Sequence, residues 1–418
     1  MPEHINIISS NVECNGRGDA RVRAAAHRAW AEADAHLVLQ QELPGADADG
    51  KSVMYEADHR LAMNWVLGPA SYTALFYDPK VFTCLREWEP GRRTWSAPPA
   101  AASLRLVGTG PTAMPLIGAS AHLSYDSYAQ REIEAGWTTG YADKTHMIDG
   151  IPHTMPALIG IDRNSYRTGD PNIPRLEEIP NLPHRAHRSR PGPDGTRIMD
   201  TVPDETLYLA GLIDVVGHLS ADRDVSKLTT MAASASHSPA TTVDAVYADH
   251  RLLPALVDAA TIDMHGISDH DAVLTRWHRA TLTDLLSDLS LWATPPARDT
   301  ARRLRAAARR PGGTHPTHRA APTGRCGEKR IPAPAPPART CAHPDHGFLE
   351  TPCTSPPYTR HRGGPPGRTS PRSCGTGSRT APTPPARCFP PSALSAPCST
   401  PANPPAVTPC TSSPTKGS

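Results

Sequence analysis

"GISDHDAV", Gly266–Val273, sets Ser268-Asp269-His270-Asp271 at the doorway of an apolar run, Ala272-Val273-Leu274. A strand that opens by burying Val and Leu has little structural use for four polar residues ahead of it, because unpaired charge is costly to bury. The segment is therefore a solvated turn, or half of a site whose other half lies elsewhere in the chain.

Working outward, the same juxtaposition recurs. "INIISSNVE" (5–13) reads as a first strand, "DARVRAAAHRAWAEADA" (19–35) as a helix with Asp19 at its N-cap, and "HLVLQQEL" (36–43) as a second strand. "YTALFYDP" (72–79), "PLIGASAHL" (115–123) and "MPALIGIDRN" (155–164) are further strands, with "SYAQREIEAGWTTGYA" (127–142) a helix. A long polar loop follows, then a helix or turn around "DETLYLAGLIDVV" and strands at 241–249, 256–264 and 271–277. Leu282, Leu285, Leu286 and Leu289 share one helical face that closes the domain. Many strands, few covering helices and long loops predict an α+β fold of two packed mixed sheets with helices outside, a four-layer α/β/β/α sandwich. Polar groups recur where these strands finish or start: Asn11, Glu42, His122, Asp162 and Asn164, Asp244, and finally Asp269 and His270.

Composition divides the chain at about the same place as the pattern does. Of 43 Lys/Arg and 41 Asp/Glu, 18 basic and 4 acidic residues lie from Arg298 onward, leaving −12 before it and +14 after. Of the 47 prolines, 27 follow residue 294. Residues 295–418 cannot bury enough apolar surface to offset backbone ordering and read as a disordered Pro/Arg/Ser/Thr-rich basic tail. Seven of the nine cysteines lie there, in spacings that give neither a zinc ribbon nor a disulfide framework, and Cys341, His343 and His346 make only a weak metal cluster. With Cys14 and Cys84 alone in 1–294, no signal peptide and no apolar run near ~20 residues, a cytoplasmic, non-membrane setting and a monomer are expected.

Taken in order, these residues resemble the endonuclease/exonuclease/phosphatase superfamily, the deoxyribonuclease-I-like fold. The matching positions are Asn11, Gln41-Glu42, Ala121-His122-Leu123, Asp162-Arg163-Asn164, Val243-Asp244 and Ser268-Asp269-His270, spanning 5–277. The resemblance implies a metal-dependent phosphoesterase in which an activated water attacks phosphorus, with Mg²⁺, or Mn²⁺ in its place, held by carboxylates. It makes Glu42 the principal metal ligand, with Asn11 beside it and Asp269 either a second ligand or a partner to Asn11. Asp162 would orient or deprotonate the water, and Asn164 would donate to a phosphate oxygen. His270 would hydrogen-bond the scissile phosphate or act as acid/base, Asp244 would fix its tautomer, and His122 would stabilise the pentacovalent charge. Three positions depart from the pattern. Gly160 stands one place early, with Ile161 before the Asp; Arg163 replaces an apolar residue and is free to contact phosphate or solvent; and Thr241-Thr242 replace the usual Arg.

Each motif alone has a plainer reading: Glu42 capping the Pro44-Gly45 turn, or Asp162 and Asn164 as an Asx-turn. "RGD" (17–19) is a helix start, "DADG" (47–50) lacks a calcium-loop spacing, and Cys14 is a small hydrophobe. "HRAHRSR" (184–190) either grips substrate phosphates or is solvated. A phosphodiester substrate, nucleic acid first, fits best. A folded part at −12 disfavours processive binding to duplexes, and 5% aromatics disfavour a large stacking platform. The alternatives are a small-molecule or lipid phosphatase, and a weakened member that binds a phosphorylated ligand or a protein.

Overall fold

Alternation along each strand sorts its side chains between two faces, and both faces of both sheets are covered. In this computed structural model, residues 2–91, 93–220, 228–234 and 239–293 are described. The tail, its cysteines and the Cys341–His346 cluster lie outside the described residues.

The chain opens with β1 (His4–Asn11), a short turn α1 (Glu13–Arg17), α2 (Ala20–Glu32), β2 (Leu37–Gln41) and α3 (Ser52–Leu61). Strands β3 (Asn64–Leu67), β4 (Thr73–Tyr77), β5 (Phe82–Glu87), β6 (Ala100–Leu106) and β7 (Leu116–His122) follow. Next come α4 (Tyr128–Thr138), a hairpin of β8 (Thr145–Ile148) and β9 (Ile151–Thr154), and β10 (Ala157–Asp162). The former polar loop holds α5 (Leu182–Arg188) and a ribbon of β11 (Ser189–Pro191) and β12 (Arg197–Met199). The chain goes on through α6 (Val202–Leu209), β13 (Leu212–Asp214), α7 (Val215–Ser220), β14 (Asp244–Asp249), β15 (Leu256–Ile262), β16 (Ala272–His278) and α8 (Arg279–Ser287).

Two six-stranded sheets result, ordered β15-β16-β1-β2-β4-β3 and β13-β14-β10-β7-β6-β5. Each is mixed: β1 runs parallel to β2 and β7 to β10, the other pairs being antiparallel. Ile5, Ile7, Leu37 and Leu39 of the first sheet share one buried cluster with Leu104, Leu116, Leu158 and Val246 of the second. On the first sheet's outer face, Ile8, Val38 and Phe76 pack under Trp30 of α2 and Met54 of α3. Ala135, Leu207 and Val216 of α4, α6 and α7 belong to the cluster that includes Ile159 and Ile161 of the second sheet. The expected four-layer α/β/β/α architecture is what the chain adopts.

At Gly160 the two sheets approach too closely for a side chain. A Cβ there would lie 2.5 Å from Leu39 Cβ and 2.9 Å from Ser9 Oγ. The departure noted in the sequence thus has a packing cause: position 160 faces the opposite sheet and must be small, while Ile161 faces the outer layer and is fully buried. Asp19 caps α2 as expected, accepting from Arg21 N–H. Leu282 and Leu286 of α8 are buried, with Leu285 and Leu289 against the same cluster. Strands β3, β5, β6, β8 and β9 and helix α3 had no sequence signal, and the β11–β12 ribbon lies within the segment expected to be a polar loop. The α3 N-cap is Lys51 in the left-handed region with no side-chain cap, and "AAASLRL" of β6 is strand only because β5 and β7 flank it. Among the described residues no helix is long and apolar enough to cross a membrane.

Candidate active site

The inward-facing positions change character along each strand. They run Ile7-Ser9-Asn11 in β1, Leu37-Leu39-Gln41 in β2, Leu116-Gly118-Ser120-His122 in β7, Leu158-Gly160-Asp162 in β10 and Val246-Asp244, read backward, in β14. The apolar members form the inter-sheet core; the polar members gather at one end. Register aligns them, with Asp162 directly opposite both His122 and Asp244, so three strands present one polar row. Asn11 pairs with Gln41 across the facing sheet. Just beneath, Gln41 Nε2 donates to Ser120 Oγ at 3.0 Å, bridging the sheets.

Glu42 leaves β2 with φ 59°, a left-handed conformation that turns its carboxylate back over the strand ends. Cys14, Asn15 and Gly16 of α1 are also left-handed, at φ 47°, 56° and 66°. That turn aims Cys14 N–H at Glu42 Oε2 (2.9 Å) and Asn15 N–H at the Glu42 carbonyl (2.7 Å). Cys14 therefore serves through its backbone, and its side chain is half-buried rather than a core hydrophobe. Asn11 Nδ2 donates to Glu42 Oε1 (2.9 Å) and to Asp162 Oδ2 (3.0 Å). His122 Nε2 lies 3.3 Å from Glu42 Oε1 and 3.6 Å from Asp162 Oδ2. Asp162 Oδ1 accepts Asn164 N–H at 2.8 Å, so the Asx-turn is real and still leaves Oδ2 facing the site. Asn164, at φ 51°, donates through Nδ2 to the Leu123 carbonyl at 3.0 Å.

On the other side of the row, His270 Nδ1 pairs with Asp244 Oδ2 at 2.7 Å. Thr230 Oγ1, which no sequence signal marked, accepts from both Val243 and Asp244 N–H. The partner of Asn11 in this segment is Ser268, not Asp269: Ser268 Oγ donates to the Asn11 carbonyl at 3.0 Å and accepts from Glu13 and His270 N–H. Asp269 lies at the other face of the imidazole, 4.0 Å from His270 Nε2.

Electrostatics follow the geometry. Burial opposes ionising Glu42, but His122, Asn11 and the Cys14 N–H outweigh it and hold its pKa well below the usual carboxylate range. Burial likewise disfavours charging His122, yet Glu42 and Asp162 raise its pKa. For His270 the same contest ends with its pKa raised to about 10, because Asp244, Asp162 and Asp269 outweigh burial. Asp269 is pushed up by burial, and Glu13 and Glu42 add to the push.

Arg163 corrects the reading of its position, for it meets neither phosphate nor solvent. It is fully buried, with its guanidinium 2.8 Å from Asp214 Oδ2, 2.9 Å from Tyr247 OH and 3.1 Å from the Thr242 carbonyl. A cavity of about 790 Å³ is bordered by its partners Asp204 and Asp214 together with Arg167, Tyr208 and Gly217, and by none of the site residues. In the 184–190 segment, Arg185 donates to the carbonyls of Glu177 and Ile179, and Arg190 lies 3.8 Å from Asp200. These arginines hold their own loop rather than the site.

A hard cation fits this donor set. One ligand atom each from Glu42, His122 and Asp162 lies within 4.8 Å of the others, as do atoms of Asp162, Asp244 and His270. Asn11 Oδ1 is buried with no hydrogen-bond partner among the described residues, an oxygen awaiting a positive charge. Asp269 belongs to neither close group.

No protein-family model and no curated protein matches the chain. Among solved structures, a humanized D. rerio TDP2 carrying 14 mutations is similar, with 14% identity and TM-score 0.45 over 66% of this chain and 99% of that one. An AP endonuclease from Archaeoglobus fulgidus gives 14% identity and TM-score 0.42, over 65% and 98%. A Bacteroides thetaiotaomicron mannosyl-6-phosphatase gives 12% and 0.42, over 65% and 98%.

Proposed function

We propose that residues 1–294 are a metal-dependent phosphoesterase domain of the endonuclease/exonuclease/phosphatase type, acting on phosphodiesters as a nuclease. The observation that carries this is the meeting of Asn11, Glu42, His122, Asp162, Asp244 and His270, drawn from six places in the chain, at one end of two sheets. Glu42 and Asn11, with Asp269 nearby, would hold Mg²⁺ or Mn²⁺, which when bound neutralises charge on the phosphate oxygens. Asp162 Oδ2, facing the pocket, takes a proton from the attacking water as its oxygen bonds to phosphorus and the ester P–O bond breaks. His270, kept protonated by Asp244, donates from Nε2 to a non-bridging oxygen and so works as a charged donor rather than a base. His122, beside Glu42, faces the same phosphate from the other side. Asn164 spends one amide N–H on Leu123 and keeps the other for phosphate.

The weakened-member reading drew on Ile161 and Arg163. Both side chains are buried away from the site, which favours the enzyme reading. Incubating the full chain with plasmid DNA, bis(p-nitrophenyl) phosphate and a panel of sugar and inositol phosphates, with Mg²⁺ or with EDTA, tests it. Metal-dependent turnover abolished by Glu42→Ala and His270→Ala is expected. Turnover of monophosphates alone would make the protein a phosphatase, and no metal-dependent turnover of any ester would end the proposal.

A further inference from the structure

The chemistry above leaves one surface on the same rim unused. Tyr125, three residues beyond His122, is 57% exposed. Its ring meets His187 of α5 edge to face, with centroids 5.7 Å apart and an 88° interplanar angle, and His187 stacks on His184 at 6.0 Å and 27°. Three rings thus adjoin one another, the first of them three residues along the chain from His122.

This arrangement is built, not incidental. Arg131 of α4 is fully buried and reaches both ring-bearing segments at once. Its Nη1 donates to the Ser124 (2.9 Å) and Tyr125 (3.1 Å) carbonyls, its Nη2 to the His187 carbonyl, and its Nε to Asp200 Oδ2 (3.0 Å). Removing Arg131 would release Tyr125 and His187 together. The Tyr125 loop is tied to the site as well: Leu123 N–H donates to the Asp162 carbonyl (3.0 Å), and Asn164 Nδ2 to the Leu123 carbonyl (3.0 Å). Three virtual bonds of 3.8 Å keep the Tyr125 Cα within about 11 Å of the His122 Cα. Burial, together with Arg131 and Arg188 and against Asp126, lowers the His187 pKa and so favours the neutral ring. Arg188, the next residue, is buried, has no carboxylate partner among the described residues and adds positive potential at His187.

We infer that the exposed ring of Tyr125, propped edge to face by His187, is a stacking surface for one nucleobase of a single-stranded nucleic acid whose backbone phosphate lies at the proposed site. The inference rests on the phosphoesterase reading and narrows its substrate. A planar, uncharged π face near a buried cation suits a base, since stacking needs ring overlap and tolerates any base. A polyol or inositol phosphate would instead require an array of hydrogen-bond donors and acceptors at the rim, where these rings offer few. Three rings also fit a chain poor in aromatics: the platform holds a single base, not a strand.

The test uses binding rather than turnover. The full chain in EDTA is titrated into a dye-labelled single-stranded oligonucleotide, and into the same strand lacking its bases, with fluorescence anisotropy as readout. Wild type should prefer the base-bearing strand by about five- to a hundredfold. Tyr125→Ala and His187→Ala should each erase most of that preference, and Tyr125→Phe should keep it. Equal affinity of wild type for both strands, or full preference in Tyr125→Ala, overturns the inference. Base preference without metal-dependent hydrolysis of any ester would sustain the platform and sink the phosphoesterase reading; hydrolysis without base preference would do the reverse.

Discussion

Replacing Arg163 with Met tests whether the Asp-x-Asn loop is anchored as described. The guanidinium has no exposed surface and three partners at 2.8–3.1 Å, Asp214, Tyr247 and the Thr242 carbonyl, with Asp204 at 3.8 Å. Tyr247 OH keeps its bond to Asp204, and Asp214 Oδ1 keeps the Val216 and Gly217 N–H groups. Asp214 Oδ2 and the Thr242 carbonyl lose their partner inside the protein. Breaking one side of a buried ion pair costs about 3–5 kcal/mol, because the remaining charge is stranded. At about 2.1 cal/mol/K of unfolding entropy per residue, a domain of this size would melt about 5–8 °C lower. The double variant Arg163→Met/Asp214→Asn removes both charges, keeps an Oδ1 acceptor for the Val216 and Gly217 N–H groups, and should recover most of the loss. Urea unfolding and calorimetry of the four proteins of the cycle supply the readout. A single-variant loss below about 1 kcal/mol, or a double variant no better than the single, would refute a buried, charge-matched Arg163.

Two further outcomes follow from the site and the core. Because Asp244 holds the His270 pKa near 10, above the ordinary 6.5, the pair's stabilisation is complete below about pH 6.5 and is lost as pH climbs through 10. In EDTA, the stability gap between wild type and His270→Gln should therefore narrow from pH 6 to pH 10; a constant gap in urea unfolding would contradict the pairing. Gly160→Ala should cost about 1–3 kcal/mol, since the new methyl meets Leu39 Cβ at 2.5 Å, while Gly118→Ala meets only the mobile end of Leu104 at 3.1 Å and should cost less. Equal losses in denaturation midpoint would mean that β10 and β2 do not approach so closely at Gly160.

Much of this was legible locally. Asp19 and Ser127 announced their helices because a cap is a short-range bond, to N–H groups two and three residues on. The polar strand ends stood out because alternation predicts apolar residues at inward positions, and Asn11, His122, Asp162 and Asp244 break that rule. Helix α5 also carried a start signal, Asn181 followed by Pro183, that was read as loop because charge dominates the segment.

The sequence by itself settled which residues are polar where burial was due, and in what order along the chain they come. Tertiary structure alone decided their distances and partners: that Asp162 lies between His122 and Asp244, that Ser268 rather than Asp269 meets Asn11, and that Arg163 turns inward to Asp214 and Tyr247. The reason is range. Caps and periodicity are set within a few residues, whereas these contacts join positions 40 to 257 apart and exist only once sheet register and sheet packing are fixed together.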